Sequence, residues 1–503
     1  MIDAFLEGLL LVLQWKAFAF MLLGIAVGFW VGLLPGLGGV TTLALLLPFI
    51  YAMKPVEGFA FLLGMHSVVA TTGDITSVLF GIPGEGTTAA TVLDGHAMAK
   101  KGEAGRALGA ALASSLVGAI VGAAALALAV PVVRPLVLAF GSPELFMIAI
   151  VGIAFIASLS AQGGRGLLRG FLAGGFGLLV ATVGQDPQAG VARYTFDSLY
   201  LWSGLDLVPV LIGIFAIPEI IDLVVRGGSI AGEMPKGRLN RGALEGVKDT
   251  FRHFWLTIRC SLIGTFIGIM PGLGGAVAQW LAYGHAAQSV RSPEEREGFG
   301  KGDVRGVLGP GAANNSKEGG ALIPTVAFGV PGSSSMAILL GGFFLLGLVP
   351  GPDMLTQHLA VTFSMVWTIV IANIVTVVVC FLFLNQLARV TLVRGEYLVP
   401  VILVLIFIGS YTANNHYGDI LLMLFFGAVG YLMVAGGWPR APFILGLVLG
   451  KIVENYLYIS VARYETAWLT RPIVLVLMAL AIAAALYPLI QARRFRARSE
   501  HRA

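Results

Sequence analysis

Two short strings with the same chemistry stand 236 positions apart in this 503-residue chain: Pro35-Gly36-Leu37-Gly38-Gly39 and Pro271-Gly272-Leu273-Gly274-Gly275. Proline lacks a backbone donor and the glycines accept φ values that other residues avoid, so each string breaks a helix. The short helix that begins beyond the break, near Val40 in the first copy, offers free N–H groups and a positive dipole end. Such a tip suits a carboxylate or phosphate. Thr41 and Thr42 lie beside it. Two further strings, Pro83-Gly84-Glu85-Gly86-Thr87-Thr88 and Pro331-Gly332-Ser333-Ser334-Ser335, set small hydroxyl residues at the start of another pair of short helices. The anion-binding residues expected from the first half are Gly36, Gly38, Gly39, Thr41, Gly84, Glu85, Gly86 and Thr87. The second half supplies Gly272, Gly274, Gly275, Asn314, Asn315, Gly332, Ser333 and Ser334. A plainer reading of the same residues is that the hydroxyls cap helices and the glycines serve packing.

Polar residues inside apolar runs come next. The stretch His66–Ser77 holds Asp74 among hydroxyls, and Asn314-Asn315-Ser316-Lys317-Glu318 does likewise before the second half-site. Ionisable groups at membrane depth mark a pathway or a partner pair. Asp74 is a candidate cation ligand or proton site, and Thr71, Thr72 and Ser316 are further cation-coupling candidates; the metal would be Na⁺. Lys317 and Glu318 either pair with each other or face the ligand, and His66 reads as a hydrogen-bonded structural residue. Nothing suggests catalysis. The chain has no His-Glu-x-x-His pair and no Walker lysine, and its two cysteines, Cys260 and Cys380, lie apart in apolar stretches. No enzyme activity and no cofactor beyond a coupling Na⁺ or H⁺ are expected, and the energy must come from an ion gradient or another subunit.

The elements that carry these residues are membrane helices. Hydrophobic residues make up 57% of the chain and charged residues 12%, about half the charge of a soluble domain. The net charge of +5 sits in short loops, as a topology signal rather than a nucleic-acid footprint. Apolar spans lie at about 17–34, 57–80, 107–130, 143–161, 167–184, 205–226, 252–270, 358–386, 397–411, 418–436, 443–460 and 472–491. Five shorter pieces broken by Gly and Pro, at about 40–53, 87–99, 276–290, 319–329 and 334–349, read as half-helices or re-entrant hairpins. No cleavable signal peptide is evident at Met1–Gln14.

Loop charge orients the spans. Basic loops at Lys100–Arg106, Arg165–Arg169, Arg226–Arg252 and Arg389–Arg394, with the tail Arg493–Arg498, belong in the cytoplasm. The loop Gln185–Asp206 and the one holding Tyr411, Asn414, Asn415 and His416 belong outside, where a soluble partner could touch. Phe80-Gly81-Ile82-Pro83-Gly84 recurs as Phe328-Gly329-Val330-Pro331-Gly332, an offset of 248. The span after the first copy leaves a basic loop, whereas the span after the second arrives at one, so the halves are inverted. The expected fold is an all-α polytopic membrane protein of about 12 transmembrane helices plus re-entrant or broken half-helices in two inverted-topology repeats. The first repeat covers 1–230 and the second 252–492, with a basic cytoplasmic linker at 231–251 and a basic cytoplasmic tail at 493–503.

At these residues the chain resembles the large membrane subunit of the tripartite tricarboxylate transporter family. The resemblance rests on Gly32–Gly39, Phe80–Glu85, Thr91–Gly109, Gly268–Gly275, Ala312–Asn315, Gly319–Pro324, Phe328–Ser333 and Gly347–Pro352. It implies the permease subunit of a secondary transporter in the bacterial inner membrane, importing tricarboxylates or dicarboxylates by cation-coupled alternating access. It also implies a small four-span membrane subunit and a periplasmic solute-binding protein as partners. Two departures fall in the presumed site. Ala70-Thr71-Thr72-Gly73-Asp74 stands where the family often has Tyr-Gly-Gly-Ser, and Gly311 stands where it often has an acid. An aromatic or monocarboxylic acid is therefore an alternative ligand, and a passive anion channel an alternative mechanism.

Overall fold

The computed structural model describes residues 1–33, 38–159, 163–186, 188–226, 239–271, 273–290, 292–390 and 399–484. Helices dominate them, beside one short antiparallel pair, Gly184–Gln185 with Ala192–Arg193. The first half holds α1 (Ile2–Leu13), α2 (Trp15–Gly32), α3 (Gly39–Leu46), α4 (Pro55–Phe80), α5 (Ala89–Lys100) and α6 (Ala104–Leu138). It continues with α7 (Ser142–Leu159), α8 (Gly163–Ala181), α9 (Leu199–Trp202), α10 (Leu207–Leu211) and α11 (Ile217–Arg226). The second half holds α12 (Asn240–Arg252), α13 (Phe254–Ile269), α14 (Gly274–Gln288), α15 (Pro293–Arg296), α16 (Arg305–Phe328), α17 (Ser334–Leu345) and α18 (Leu359–Val390). It ends with α19 (Val399–Thr412), α20 (Tyr417–Ala435), α21 (Arg440–Tyr464) and α22 (Pro472–Ala484).

Among the described residues, five helices are long and apolar enough to cross a membrane: α2, α6, α18, α20 and α21. Shorter apolar helices accompany them, and the chain is a multi-pass membrane protein. Two long helices stand apart. α4 and α16 run 26 and 24 residues, and they are buried from Gly58 to Leu79 and from Gly306 to Ala327. Other helices shield them from lipid, which is why they carry the polar residues that a lipid-facing helix could not. The expected short piece at about 319–329 is no separate element. α16 runs unbroken through Pro310 and Pro324 to Phe328, because a helix enclosed by neighbours tolerates the bonds that proline removes.

The two Phe-Gly-x-Pro-Gly strings end their helices alike. α4 and α16 each end on a left-handed glycine, Gly81 (φ 70°, ψ 18°) and Gly329 (φ 68°, ψ 17°). A Cβ on Gly28 or Gly32 of α2 would collide with Met65 or Thr72 of α4. The glycines 236 positions later, Gly264 and Gly268 of α13, lie equally close to Ala313 and Lys317 of α16. Small residues of this kind let membrane helices approach to backbone contact. Packing between the halves is exchanged: α6 lies on α16 and α12, whereas α18 lies on α4 and α1. The contact of α1 with α18 includes a bond from the Trp367 indole to the Phe5 carbonyl at 2.9 Å.

Polar loops gather at shared ends. Arg106 bonds Asp249 at 2.6 Å, and the Leu239 N–H donates to Asn385 at 3.1 Å, so the segments after α5, before α12 and near the end of α18 lie together. Elsewhere Tyr200 donates to Asp419 at 2.6 Å and stacks on His416, while Asn414 bonds Asp206 at 3.0 Å. In the same loop region the N–H groups of Ala189 and Gln188, helped by Arg193, hold the Asp186 carboxyl below its ordinary range.

Candidate functional site

The first Pro-Gly string delivers the chain to α3. Gly36, like Gly272 of the second string, lies outside the described residues. Gly38 is the N-cap, with extended backbone and no side chain to satisfy the first turn. The Gly39 N–H donates instead to a carboxylate from 46 residues away, that of Glu85. The other carboxylate oxygen of Glu85 accepts from the Thr87 hydroxyl at 3.0 Å. Negative charge at a helix N-terminus is stabilised by the dipole and by the otherwise orphaned donors. The tip predicted to hold an anion thus holds a resident carboxylate.

The second tip differs. α14 starts at Gly274, whose φ is 70°; its first turn has no side-chain cap, and among the described residues a Cβ on Gly274 would meet open space. The two tips still meet through their second glycines. Gly275 packs so tightly on the Lys317 chain and the Thr87 methyl group that a Cβ would strike both. Gly39 lies against Glu85 and the His66 ring. Lys317 and Glu318 do pair, ammonium to carboxylate, and the second oxygen of Glu318 lies 3.1 Å from His66 Nε2. All three are buried. Mutual attraction in a low dielectric offsets the cost of burying the Lys317 and Glu318 charges because each has the other as its partner.

The structure therefore links Gly39, Glu85, Thr87 and Gly275 in a chain of contacts, with Gly275 against Lys317. The other expected residues do different work. Gly332 packs against Gly268 and Ala321, and the Ser333 hydroxyl caps α17 by accepting from the Met336 N–H at 3.3 Å. Gly84 closes onto Gly73 and Thr76. Thr41 is buried near the α3 tip, and Ser334 and Gly86 begin their short helices. Asn315 donates to Thr71 at 2.7 Å and to Asn373 at 2.5 Å, a network that joins α4, α16 and α18. The hydroxyls of Thr71, Thr72 and Ser316 each donate to a backbone carbonyl of their own helix. Asp74 is buried, with the side chains of Thr91 and Asn314 beside its carboxylate.

Sequence reasoning passed over three groups. Asp94 ties α5 to the rest by accepting from Gly302 N–H at 2.7 Å, Asp303 N–H at 2.9 Å and the Tyr283 hydroxyl at 3.0 Å. Thr91 is buried against Asp74, and Gln279 is buried with no hydrogen-bond partner among the described residues. Each is a lone neutral residue in an apolar helix, and only the helices across from it reveal what it faces.

Comparison with known proteins gives consistent results. The tripartite tricarboxylate transporter TctA family matches the chain over residues 18–445. An uncharacterized 52.8 kDa protein in the TAR-I ttuC' 3' region of Agrobacterium vitis is 32% identical over 478 residues, covering 94% of this chain and 93% of that protein. A second Agrobacterium vitis protein, from the TAR-II ttuC' 3' region, is 30% identical over 237 residues, covering 46% of this chain and 97% of its own length. No solved structure matches.

Proposed function

The chain belongs to the tripartite tricarboxylate transporter TctA family, so it is a transport protein and not an enzyme; on that premise we propose that it imports a carboxylate, driven by a cation gradient. The observation that carries the carboxylate is Glu85 on the tip of α3. A helix tip that binds one carboxylate has the donors and dipole to bind another. The substrate carboxylate displaces Glu85 from Gly39, or takes the open tip of α14 beside Lys317. Gly38, Gly39, Thr41, Thr87, Gly274 and Gly275 form its surroundings.

Alternating access follows from the repeat. We read residues 1–230 and 252–492 as inverted repeats, supported by the paired motifs, the matching left-handed glycines and the exchanged packing of α6 and α18. Interrupted helices at corresponding places in two such halves put a substrate at mid-membrane. Loop charge supports a bacterial inner-membrane setting with a cytoplasmic C-terminus, and leaves the loops around Tyr200 and His416 for a periplasmic solute-binding protein. The family's tripartite character makes that protein and a small four-span subunit the partners.

Gly38→Leu tests the reading. Gly38 has an ordinary φ of −73°, and among the described residues a Cβ there would meet nothing closer than Glu85 Oε1 at 3.8 Å, so leucine keeps the backbone but fills the space before the tip. The variant inserts normally and loses uptake of labelled carboxylates in proteoliposomes supplied with the binding protein. Undiminished uptake overturns the proposal.

A further inference from the structure

We propose that a cavity enclosed by the segment 199–207 and helices α8, α17, α20 and α21 binds the headgroup of a phospholipid that carries both a phosphate and a primary ammonium. The binding rests on the cavity and its charges, not on the import reading above.

The cavity measures about 610 Å³, and Val180, Leu205, Leu207, Phe344, Leu447 and Val448 form its apolar walls. Ligand cavities commonly hold about 300–1,000 Å³, with mostly apolar walls and a few placed polar groups. This one takes a headgroup, the glycerol and the top of one chain. The remainder of a phospholipid would lie along the protein surface.

Charge at the mouth selects the head. Lys451 brings its ammonium to the Ser203 carbonyl at 3.5 Å, and among the described residues no carboxylate pairs with it. Glu454, one turn further along α21, is already held by Arg193 at 2.5 and 3.0 Å. Asp206 and Asp419 line the same cavity. Asp206 accepts from the Val208 N–H at 2.8 Å and from Asn414 at 3.0 Å, and Asp419 accepts from the Tyr200 hydroxyl at 2.6 Å. Asn414 lies against both acids, so the two carboxylates are close neighbours. These donors are all neutral, and among the described residues neither acid has a lysine or arginine partner. Neutral donors satisfy an acceptor without cancelling its charge. A phosphate answers Lys451, and an ammonium with N–H groups to donate answers the two acids. A trimethylammonium head has no N–H to give, and a glycerol head has no positive charge.

The surroundings favour a lipid over a soluble zwitterion. Leu199 is 76% exposed, Trp202 45% and Tyr417 76%, and they adjoin the cavity residues Tyr200, Ser203 and His416 in sequence. Tryptophan and tyrosine concentrate at the level of lipid headgroups. A leucine this bare, itself part of the lining, carries the apolar wall outward. Lysine suits such a place, because its stem lies on apolar surface while its ammonium reaches the polar layer. The walls also include α17 in its last turn, at Phe344, and a Cβ on Gly341 of the same helix would strike Leu207. α17 starts at Ser333, in the second Phe-Gly-x-Pro-Gly string. A lipid head here would touch the far end of that half-helix, so membrane composition would bear on transport; this consequence alone rests on the import reading.

The test is thermal unfolding of the delipidated full-length protein in mixed micelles holding equal mole fractions of dioleoyl phosphatidylethanolamine, phosphatidylcholine or phosphatidylglycerol. A ligand that binds only the folded state raises the midpoint saturably. Phosphatidylethanolamine is expected to do so at lower mole fraction than the other two. Glycerophosphoethanolamine, the same head without chains, is expected to have no effect. Lys451→Gln and Asp206→Asn should each raise the half-saturating fraction of phosphatidylethanolamine about tenfold, the worth of one charge-assisted hydrogen bond. Lys451 is exposed, and asparagine caps a helix as aspartate does at the start of α10, so both variants keep the fold. If one fails to fold, the other decides alone. The proposal is overturned if phosphatidylcholine or phosphatidylglycerol matches phosphatidylethanolamine, if the chainless head acts equally well, or if the preference survives either substitution. Lost carboxylate uptake with an intact lipid preference would count against the import reading and leave the lipid site standing.

Discussion

α4 with its following link and α16 with its own are built on one backbone plan and carry opposite chemistry. The offset of 248 that relates Phe80 to Phe328 sets Val69 and Ala70 opposite Lys317 and Glu318, Asp74 opposite Leu322, His66 opposite Asn314, and Glu85 opposite Ser333. What recurs is what fixes backbone geometry: the left-handed glycine that ends each long helix and the glycines that let a neighbour approach. The charges do not recur. One half keeps a buried ion pair, while the other keeps an unpaired buried acid and a carboxylate lent to a helix tip. A repeated frame can thus hold a charged site without repeating it, because a scaffold needs shape at both places and a bound ion needs charge at only one.

Perturbations can break that contrast. The largest effect belongs to Glu318→Ala, which leaves Lys317 buried without a counter-charge and should cost about 3–5 kcal/mol in mixed-micelle unfolding. Giving both positions their first-half identities, Lys317→Val with Glu318→Ala, should recover much of that loss. A double variant as unstable as the single one would mean the pair is not the cause.

Next come the shared features. Gly28→Val and Gly264→Val should each cost about 1–3 kcal/mol, since each forces a pair of helices apart. Clearly unequal losses, measured the same way, would show that the two frames are not equivalent. Ser333→Ala removes a helix cap and should cost about 1 kcal/mol without altering KM for the transported anion.

The smallest change in stability is expected from Glu85→Gln. It keeps an acceptor for Gly39 but gives up the charge–dipole attraction, about 0.3–1 kcal/mol. Its KM should fall, because a neutral resident competes less well than a carboxylate for the tip. A KM that rises would make Glu85 a direct support of the ligand and not its stand-in.

Much of this molecule was legible before any helix was placed. Proline and glycine act on the residues next to them, so the breaks near Gly38 and Gly274 and the ends at Phe80 and Phe328 could be read locally. The pairing of Lys317 with Glu318 needed only adjacency. The continuity of α16 across residues 319–329 was misread, because whether proline ends a helix depends on what encloses it. The site was legible as a list of residues and not as an arrangement. Nothing in Ser333 says that it serves its own cap while Glu85, at the equivalent place, reaches across to another helix.

The sequence by itself determined the membrane class, the helix breaks and the repeated strings, since these follow from composition and from forces acting over a few residues. Only the tertiary structure decided that Glu85 sits on Gly39, that Gly275 closes on Lys317 and Thr87, and that Asp74 is buried beside Thr91 and Asn314. Whether a buried polar atom is satisfied depends on groups that arrive from helices up to hundreds of residues away, and hydrogen bonds and ion pairs act only over the few ångströms that folding brings about.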